Sequence, residues 1–241
     1  MALLSDGFAI GALVGAVIGI GADELLRRPL RRLVRRTEPV LGGLDIAWVI
    51  EADPAKMPPG DLNFPVSFYF DAGFVPDEPP MSLTNWWSWA HDRNGRDVAT
   101  TKVLVTLQGV EDVTVLVGTP QVQHTTSHCP PGVVCTPEGV GGGGVTPRQY
   151  RIDLNADSGP SIKYVDRAGR PPQFTLQRGD TEQIELIASA LEGCHEWTCR
   201  LPVTVNGVVR DLIIDLKGRP FVTVALNDDC EQFMWADMAW T

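Results

Sequence analysis

Five cysteines are the side chains in this sequence best suited to covalent or metal chemistry, and four of them form two local pairs. Cys129 precedes Cys135 by six positions, Cys194 precedes Cys199 by five, and Cys230 stands alone. Disulfides within each pair would suit an oxidising compartment. The four paired thiols are also of the ligand type that zinc prefers, but at least one pair is spaced more widely than a zinc knuckle requires. Free thiols are the third interpretation, and the sequence predicts no metal site and no cofactor.

Three of the seven tryptophans lie close together and are a candidate ligand platform for a sugar or a peptide: Trp86, Trp87 and Trp89. In a strand, alternation would place Trp87 and Trp89 on one face and Trp86 on the other. One face would then belong to the core, so packing is the favoured interpretation and the platform is the alternative.

No recognisable catalytic motif is present. The sequence lacks G-x-S-x-G, H-E-x-x-H and a dinucleotide-binding glycine fingerprint. His91 and Asp92 are adjacent, and neighbouring side chains in a strand point in opposite directions. We therefore predict that the protein is not an enzyme, with a hydrolase whose site the sequence does not reveal as an alternative.

Charge separates the chain into two parts. The net charge is −10, yet residues 1–38 carry six basic and four acidic residues, which leaves a charge of −12 on the remainder. Phosphates would be repelled by that remainder, so we predict no nucleic-acid partner. The acidic C-terminus from Asp228 to Asp237 is interpreted as a solvated tail, and binding of a cation or a basic partner is the alternative.

Short segments of alternating polar and apolar residues, punctuated by 19 prolines and 24 glycines, predict an all-β fold. The predicted architecture is a β-sandwich of antiparallel sheets, immunoglobulin-like or similar. Asn206-Gly207 is a strong hairpin signal, and the segments around it predict a three-stranded meander. Residues 124–147 are rich in glycine and proline and are predicted to form a surface loop.

The longest apolar run extends from Gly7 to Ala22 and predicts an N-terminal transmembrane helix, slightly short for the ~30 Å of hydrocarbon. Four glycines recur at every fourth position, on one face of that helix, and favour close helix–helix packing: Gly7, Gly11, Gly15 and Gly19. We therefore predict a homo-oligomer formed through this helix.

Six arginines follow the apolar run and none precedes it: Arg27, Arg28, Arg31, Arg32, Arg35 and Arg36. This order argues against a secretory signal peptide, whose basic residues come first. The positive-inside rule places the arginines in the cytoplasm and the N-terminus outside. With leucines between them, they predict a short amphipathic helix that binds anionic lipids at the membrane surface.

The sequence thus predicts four regions: a transmembrane anchor at 1–24, a basic juxtamembrane segment at 25–40, a β-rich part at 41–98, and a β-sandwich at 99–241. The predicted function is that of a single-pass cell-membrane protein of bacterial type, whose cytoplasmic domain is a binding or scaffold module for a protein partner. The alternative is a domain outside the cell, stapled by disulfides, that binds carbohydrate or protein.

Overall fold

The structure is a computed structural model, and it describes residues 45–57, 67–79, 83–137, 148–165, 172–236 and 239–240. All of these residues belong to one compact unit. The predicted anchor with its glycines and the basic segment with its arginines lie outside the described residues. Within the described ranges, no helix is both long enough and apolar enough to cross a bilayer.

The described chain is built mainly of short strands, as the alternating sequence predicts. The strands are β1 Ile46–Glu51, β2 Phe68–Asp71, β3 Arg96–Val98, β4 Thr100–Gly109, β5 Val113–Val117, β6 Gln121–Ser127, β7 Gly132–Pro137, β8 Arg148–Asp153, β9 Ser161–Val165, β10 Gln173–Leu176, β11 Thr181–Ser189, β12 Cys194–Val205, β13 Val208–Ile214, β14 Phe221–Val224, β15 Glu231–Ala236 and β16 Ala239–Trp240. One α-helix, α1, spans Trp86–His91, and 3₁₀ turns span Pro54–Lys56 and Leu83–Asn85.

These strands form two sheets that pack face to face, so the predicted sandwich is confirmed. The smaller sheet has the order β1-β4-β11-β8-β9, and the larger runs β10-β5-β12-β14-β3-β2-β7-β15-β16, with β6 and β13 also paired to β12. The main core lies between them, because β4 and β11 contribute Val105 and Ile184 while β12 contributes Trp197, Leu201 and Val203. Alternate residues of β12 face this core from Trp197 to Val205.

Both sheets are mixed, whereas the sequence predicts antiparallel sheets. In the smaller sheet β11 pairs in parallel with β8. In the larger sheet β14 pairs in parallel with β3, and β15 with β7. Each of these pairs joins strands far apart in sequence, so a local pattern carries no information about its direction. Residues 45–98 share both sheets with the rest, because β1 pairs with β4 and β2 with β7.

The strongest hairpin prediction is confirmed. Val205 and Val208 are paired across a two-residue turn in which Asn206 and Gly207 have φ of 48° and 83°. Positive φ at both positions is what a type I′ turn needs. The meander prediction is wrong in one respect, because β14 pairs with β12 rather than with β13. The turn from Asp215 to Arg219 shifts the chain so that β13 and β14 follow one another along the same edge of β12.

Two predictions of irregular structure are also wrong. The loop predicted at 124–147 contains the end of β6 and the whole of β7, while residues 138–147, with the glycine run, lie outside the described residues. The C-terminus predicted as a solvated tail contains β15, which pairs with β7. The prolines and glycines around β7 hide the sequence pattern of a strand. Hydrogen bonding to β2 on one side and β15 on the other holds this segment in the sheet.

Strands β2 and β7 carry different residues on their two faces. Phe68, Phe70, Val133 and Cys135 pack against α1 on one face. The intervening Tyr69 and Val134 belong to a separate cluster with Cys129, Cys194 and Cys230. This part of the larger sheet therefore has an aromatic cluster on one side and a thiol cluster on the other.

Candidate functional site

The tryptophan segment forms the helix α1, whereas the sequence interpretation places it in a strand. Helical spacing brings Trp86 and Trp89 to the same side, where their rings stack with centroids 4.9 Å apart. Both are almost fully buried, against the aromatic face of β2 and β7. Because a helix places positions i and i+3 together, Trp86, Trp89 and Ala90 can enter one core, which alternation in a strand would not allow.

Trp87 is the most exposed of the three tryptophans and points elsewhere. Its ring stacks on His91 with centroids 4.0 Å apart. The three indoles therefore do not form one exposed platform. Trp86 and Trp89 pack in the core, as the favoured interpretation predicts. A ligand could contact Trp89 only at the small edge of its ring that is exposed.

An open groove of about 480 Å³ lies along the exposed side of α1. Polar side chains dominate its lining, and Trp89 and Pro79 are its apolar members. The polar residues are Glu78, Asn85, Ser88, Asp92 and Arg93. The groove thus combines carboxylates, an amide, a hydroxyl and a guanidinium around one aromatic edge.

Asp77 organises this groove through both its carboxylate and its backbone. Trp89 Nε1 donates to Asp77 Oδ1 at 3.3 Å, and Arg93 Nη2 donates to Asp77 Oδ2 at 2.7 Å. Trp240 Nε1 donates to the Asp77 carbonyl oxygen at 2.9 Å. Asp77 therefore links the connector after β2 to α1, to the turn after α1 and to β16.

The Asp77 carboxylate is held in its charged form. The hydrogen bond from Arg93 lowers the pKa of Asp77 below its ordinary value, and the Trp89 indole adds to this effect. The Arg93 guanidinium also lies over the Trp89 ring, with Cζ 5.2 Å from the centroid. Arg93 is thereby fixed in place at the side of the groove.

The groove has an excess of negative charge. Arg93 is neutralised by Asp77, whereas Glu78 and Asp92 form no ion pair with any described residue. Both side chains are exposed. Two carboxylates therefore remain free to contact a ligand beside the Trp89 edge.

His91 has a carboxylate partner, but it is Asp97 and not the adjacent Asp92. His91 Nε2 lies 3.3 Å from Asp97 Oδ1, and Asp97 is buried in β3. A His–Asp pair of this kind can orient an imidazole for acid–base work. Among the described residues, however, the His91 ring hydrogen-bonds to no hydroxyl or thiol, so the pair lacks a nucleophile to activate.

His195 is buried, and both of its ring nitrogens are engaged. Nε2 lies 2.8 Å from the Glu192 carbonyl oxygen, and Nδ1 lies 3.2 Å from the Thr126 hydroxyl oxygen. Asn155 Nδ2 also lies 3.2 Å from Nε2, and together these contacts tie the loop before β12 to β6. His195 therefore has a structural role.

The cysteines do not form the predicted local pairs. All five are buried free thiols. Cys194 and Cys199 are five positions apart in the regular strand β12, which separates their Cα atoms by roughly 17 Å and points them to opposite faces. A disulfide needs Cα atoms within about 7 Å, so this pair is excluded.

The other cysteines also lie in different clusters from their predicted partners. Cys199 packs in the main core and Cys135 against α1, whereas Cys129 and Cys194 share the third cluster with Cys230. The Cys129–Cys135 pair is therefore also wrong, as is the alternative of zinc bound by the four paired cysteines. Within the described ranges, no group of three or more histidine, cysteine or acidic residues is arranged to hold a metal ion.

Several residues that shape these sites carried no sequence signal. Asp77 lies in a proline-rich connector, and its three partners come from positions 12 to 163 residues away. Asp97 is six residues from His91 and meets it only because the chain reverses after α1. Comparison of the chain with protein-family models and with curated proteins finds no significant match.

Proposed function

We propose that this chain is a single-pass membrane protein whose β-sandwich domain binds a positively charged segment of a partner protein in the groove along α1. The observation that carries the proposal is the pair of unneutralised carboxylates, Glu78 and Asp92, beside the Trp89 edge. Carboxylates attract lysine and arginine side chains, and an indole edge offers apolar contact to their aliphatic stems. The negative charge of the whole domain favours the same partner.

The predicted anchor would locate the binding domain at the membrane and determine how many grooves each oligomer carries. In this proposal the apolar run crosses the membrane with the N-terminus outside, the arginines bind anionic lipids, and the acidic domain lies on the cytoplasmic side. Packing along Gly7, Gly11, Gly15 and Gly19 brings two grooves together in one oligomer. Two linked grooves bind a bivalent partner more tightly than either groove alone.

A binding titration with the full chain in lipid nanodiscs tests the groove. The probe is a peptide of alternating arginine and serine, compared with a peptide in which glutamate replaces arginine, and binding is followed by tryptophan fluorescence. We expect only the basic peptide to bind, with an affinity that falls as salt is added. The double variant Glu78→Gln/Asp92→Asn is expected to bind about tenfold more weakly.

A matched control separates the groove from the overall charge. Asp157→Asn/Glu196→Gln removes two exposed carboxylates that form no ion pair with a described residue and lie outside the groove lining. This variant should bind the basic peptide like the unaltered chain. Equal losses in the two double variants, or no binding of the basic peptide, would contradict the proposed site.

A neutral saccharide is the second candidate ligand, and this binding suits the alternative placement of the domain outside the cell. Asn85 and Ser88 line the groove next to Trp89 and offer the amide and hydroxyl groups that sugar hydroxyls bind. A saccharide carries no charge, so its binding would be insensitive to salt. An oligosaccharide panel run in the same assay therefore distinguishes the two ligand classes.

A further inference from the structure

Three of the five cysteines converge on one site from distant parts of the chain. Cys129 follows β6, Cys194 begins β12, and Cys230 precedes β15, and all three pack with Tyr69, Val134 and Val224. Besides burial, the other two cysteines in this cluster raise the pKa of the Cys129 thiol, and Cys194 acts on it more strongly than Cys230. The two side chains of Cys129 and Cys194 therefore pack in the same buried cluster although 65 positions separate the residues.

The backbone explains why these two cysteines meet. Ser127 is the cross-strand partner of Cys194, so Cys129 lies two residues beyond the point where β6 stops pairing with β12. The chain then continues into β7, which pairs with β2 and β15 in the other half of the larger sheet. A covalent bond between Cys129 and Cys194 would fasten this crossover to β12.

One of the two thiols borders a cavity. A cavity of about 310 Å³ is lined by His128, Cys129, Glu192 and Asp228, and by Leu191 and Leu226, whose side chains are exposed. Cys129 belongs to the lining of this cavity, whereas Cys194, which follows the lining residue Gly193, does not. A small disulfide reagent entering the cavity would meet Cys129 first.

We propose that Cys129 and Cys194 are a redox-active dithiol that a low-molecular-weight disulfide such as oxidised glutathione converts into an inter-strand disulfide. The Cys129 thiolate attacks the reagent, forming a mixed disulfide and releasing one thiol. The Cys194 thiolate then attacks the Cys129 sulfur, forming the protein disulfide and releasing the second thiol. The two protons lost by the cysteines end on the two released thiols, and the reagent accepts both electrons.

Cys230 is the competing partner and remains a thiol. Cys135 and Cys199 also remain thiols, because each is buried in a different cluster. The disulfide closes a long loop and so removes conformational freedom from the unfolded chain. We expect oxidation to raise the melting temperature by roughly 10 °C.

Peptide mapping of the full chain tests the proposal directly. Reduced protein is incubated with oxidised glutathione, alkylated to trap remaining thiols, digested without reductant and analysed by mass spectrometry. The expected result is a linked pair of peptides containing Cys129 and Cys194, with Cys135, Cys199 and Cys230 alkylated. A link from Cys129 to Cys230, links within the local pairs, or five alkylated cysteines would overturn the proposal.

Two variants add an independent readout. Cys194→Ser should stop the reaction at the mixed disulfide, so glutathione remains attached to Cys129. Cys199→Ser is the matched control on the same strand and should still form the Cys129–Cys194 link. If Cys194→Ser does not fold, mapping of the unaltered chain decides the question alone. A Cys194→Ser protein that folds but carries no glutathione on Cys129 would contradict the proposed order of attack.

Discussion

Thr223 Oγ1 lies 2.7 Å from Thr101 Oγ1 in the interior of the sandwich, and the two residues belong to different sheets. Trp197 Nε1 also donates to Thr223 Oγ1, at 2.9 Å. All three side chains are buried, so water cannot replace either hydrogen bond. Thr223 therefore satisfies two polar groups at once, and it connects β14 to both β4 and β12.

Thr223→Val should destabilise the domain by about 2 kcal/mol, because it leaves the Trp197 indole and the Thr101 hydroxyl without this partner. The change preserves side-chain volume, so little of the effect comes from packing. Urea unfolding followed by tryptophan fluorescence measures the free energy. Thr114→Val, an exposed position in β5, is the matched control and should change stability by less than about 0.5 kcal/mol. Equal effects at the two positions would contradict a role for the buried hydroxyl.

The groove should respond to acid through Asp77. The pKa of Asp77 is lowered in the folded protein by the hydrogen bond from Arg93, so the charged form contributes stability above the ordinary value of 3.8. That contribution is lost as pH falls through the lower folded-state pKa. Protonation removes the Arg93 ion pair and weakens the Trp89 hydrogen bond, which should change tryptophan fluorescence before global unfolding. The Asp77→Asn variant should not show this fluorescence change. If the variant does show the change, the titration of another group causes it.

Cys129 should react slowly at neutral pH and faster as pH rises. Burial raises the pKa of Cys129 to about 12, with the neighbouring Cys194 adding to the shift, so its reactive thiolate is scarce in the folded protein. The alkylation rate of Cys129, measured by mass spectrometry, is expected to rise about tenfold per pH unit in the mildly alkaline range. In the unfolded chain the alkylation rate should stop rising once the pH exceeds the ordinary thiol pKa. If the rate in the folded protein stops rising at the same pH, burial does not raise the pKa of Cys129.

The strands with clear alternation were the most predictable part of the fold. Strands β9 and β11, with the sequences SIKYV and TEQIELIAS, show this alternation, and Asn206-Gly207 is the turn that its sequence predicts. Strands β3, β7 and β15 were missed because they are short or surrounded by turn residues. All three join parallel pairs, in which distant chain segments supply the hydrogen bonds.

Predictions for the candidate sites failed where sequence neighbours were taken for spatial neighbours. The short spacing predicts a pair of Cys194 and Cys199, but strand geometry points them to opposite faces, and Cys194 packs with Cys129 and Cys230 instead. For His91 the sequence predicts no pairing with Asp92, and it gives no signal for Asp97, which the turn after α1 brings to the ring. Residue types identified the groups capable of chemistry, whereas only the sheet order determines which of them meet.

The number of free thiols tests the cytoplasmic placement of the domain. The protein is extracted without reductant and then denatured in the presence of a thiol-reactive dye. It should show five thiols, because the cytoplasm is reducing. If the domain lies outside the cell, oxidation of Cys129 and Cys194 would leave three. Protease treatment of intact cells gives an independent answer, since a cytoplasmic domain is protected. A count of three together with cleavage in intact cells would contradict the proposed placement and favour the extracellular alternative.

The glycine spacing of the predicted anchor yields a test that does not depend on the groove. Close packing of two helices along Gly11 and Gly15 requires that neither carries a side chain on that face. Gly11→Ile/Gly15→Ile should therefore abolish crosslinked oligomers in membranes, while added apolar surface leaves insertion intact. Ala12→Ile/Ala16→Ile adds similar bulk next to the glycine line and should weaken oligomers less. Oligomers that persist unchanged in the glycine variant would show that the spacing contributes to spanning the membrane and not to self-association.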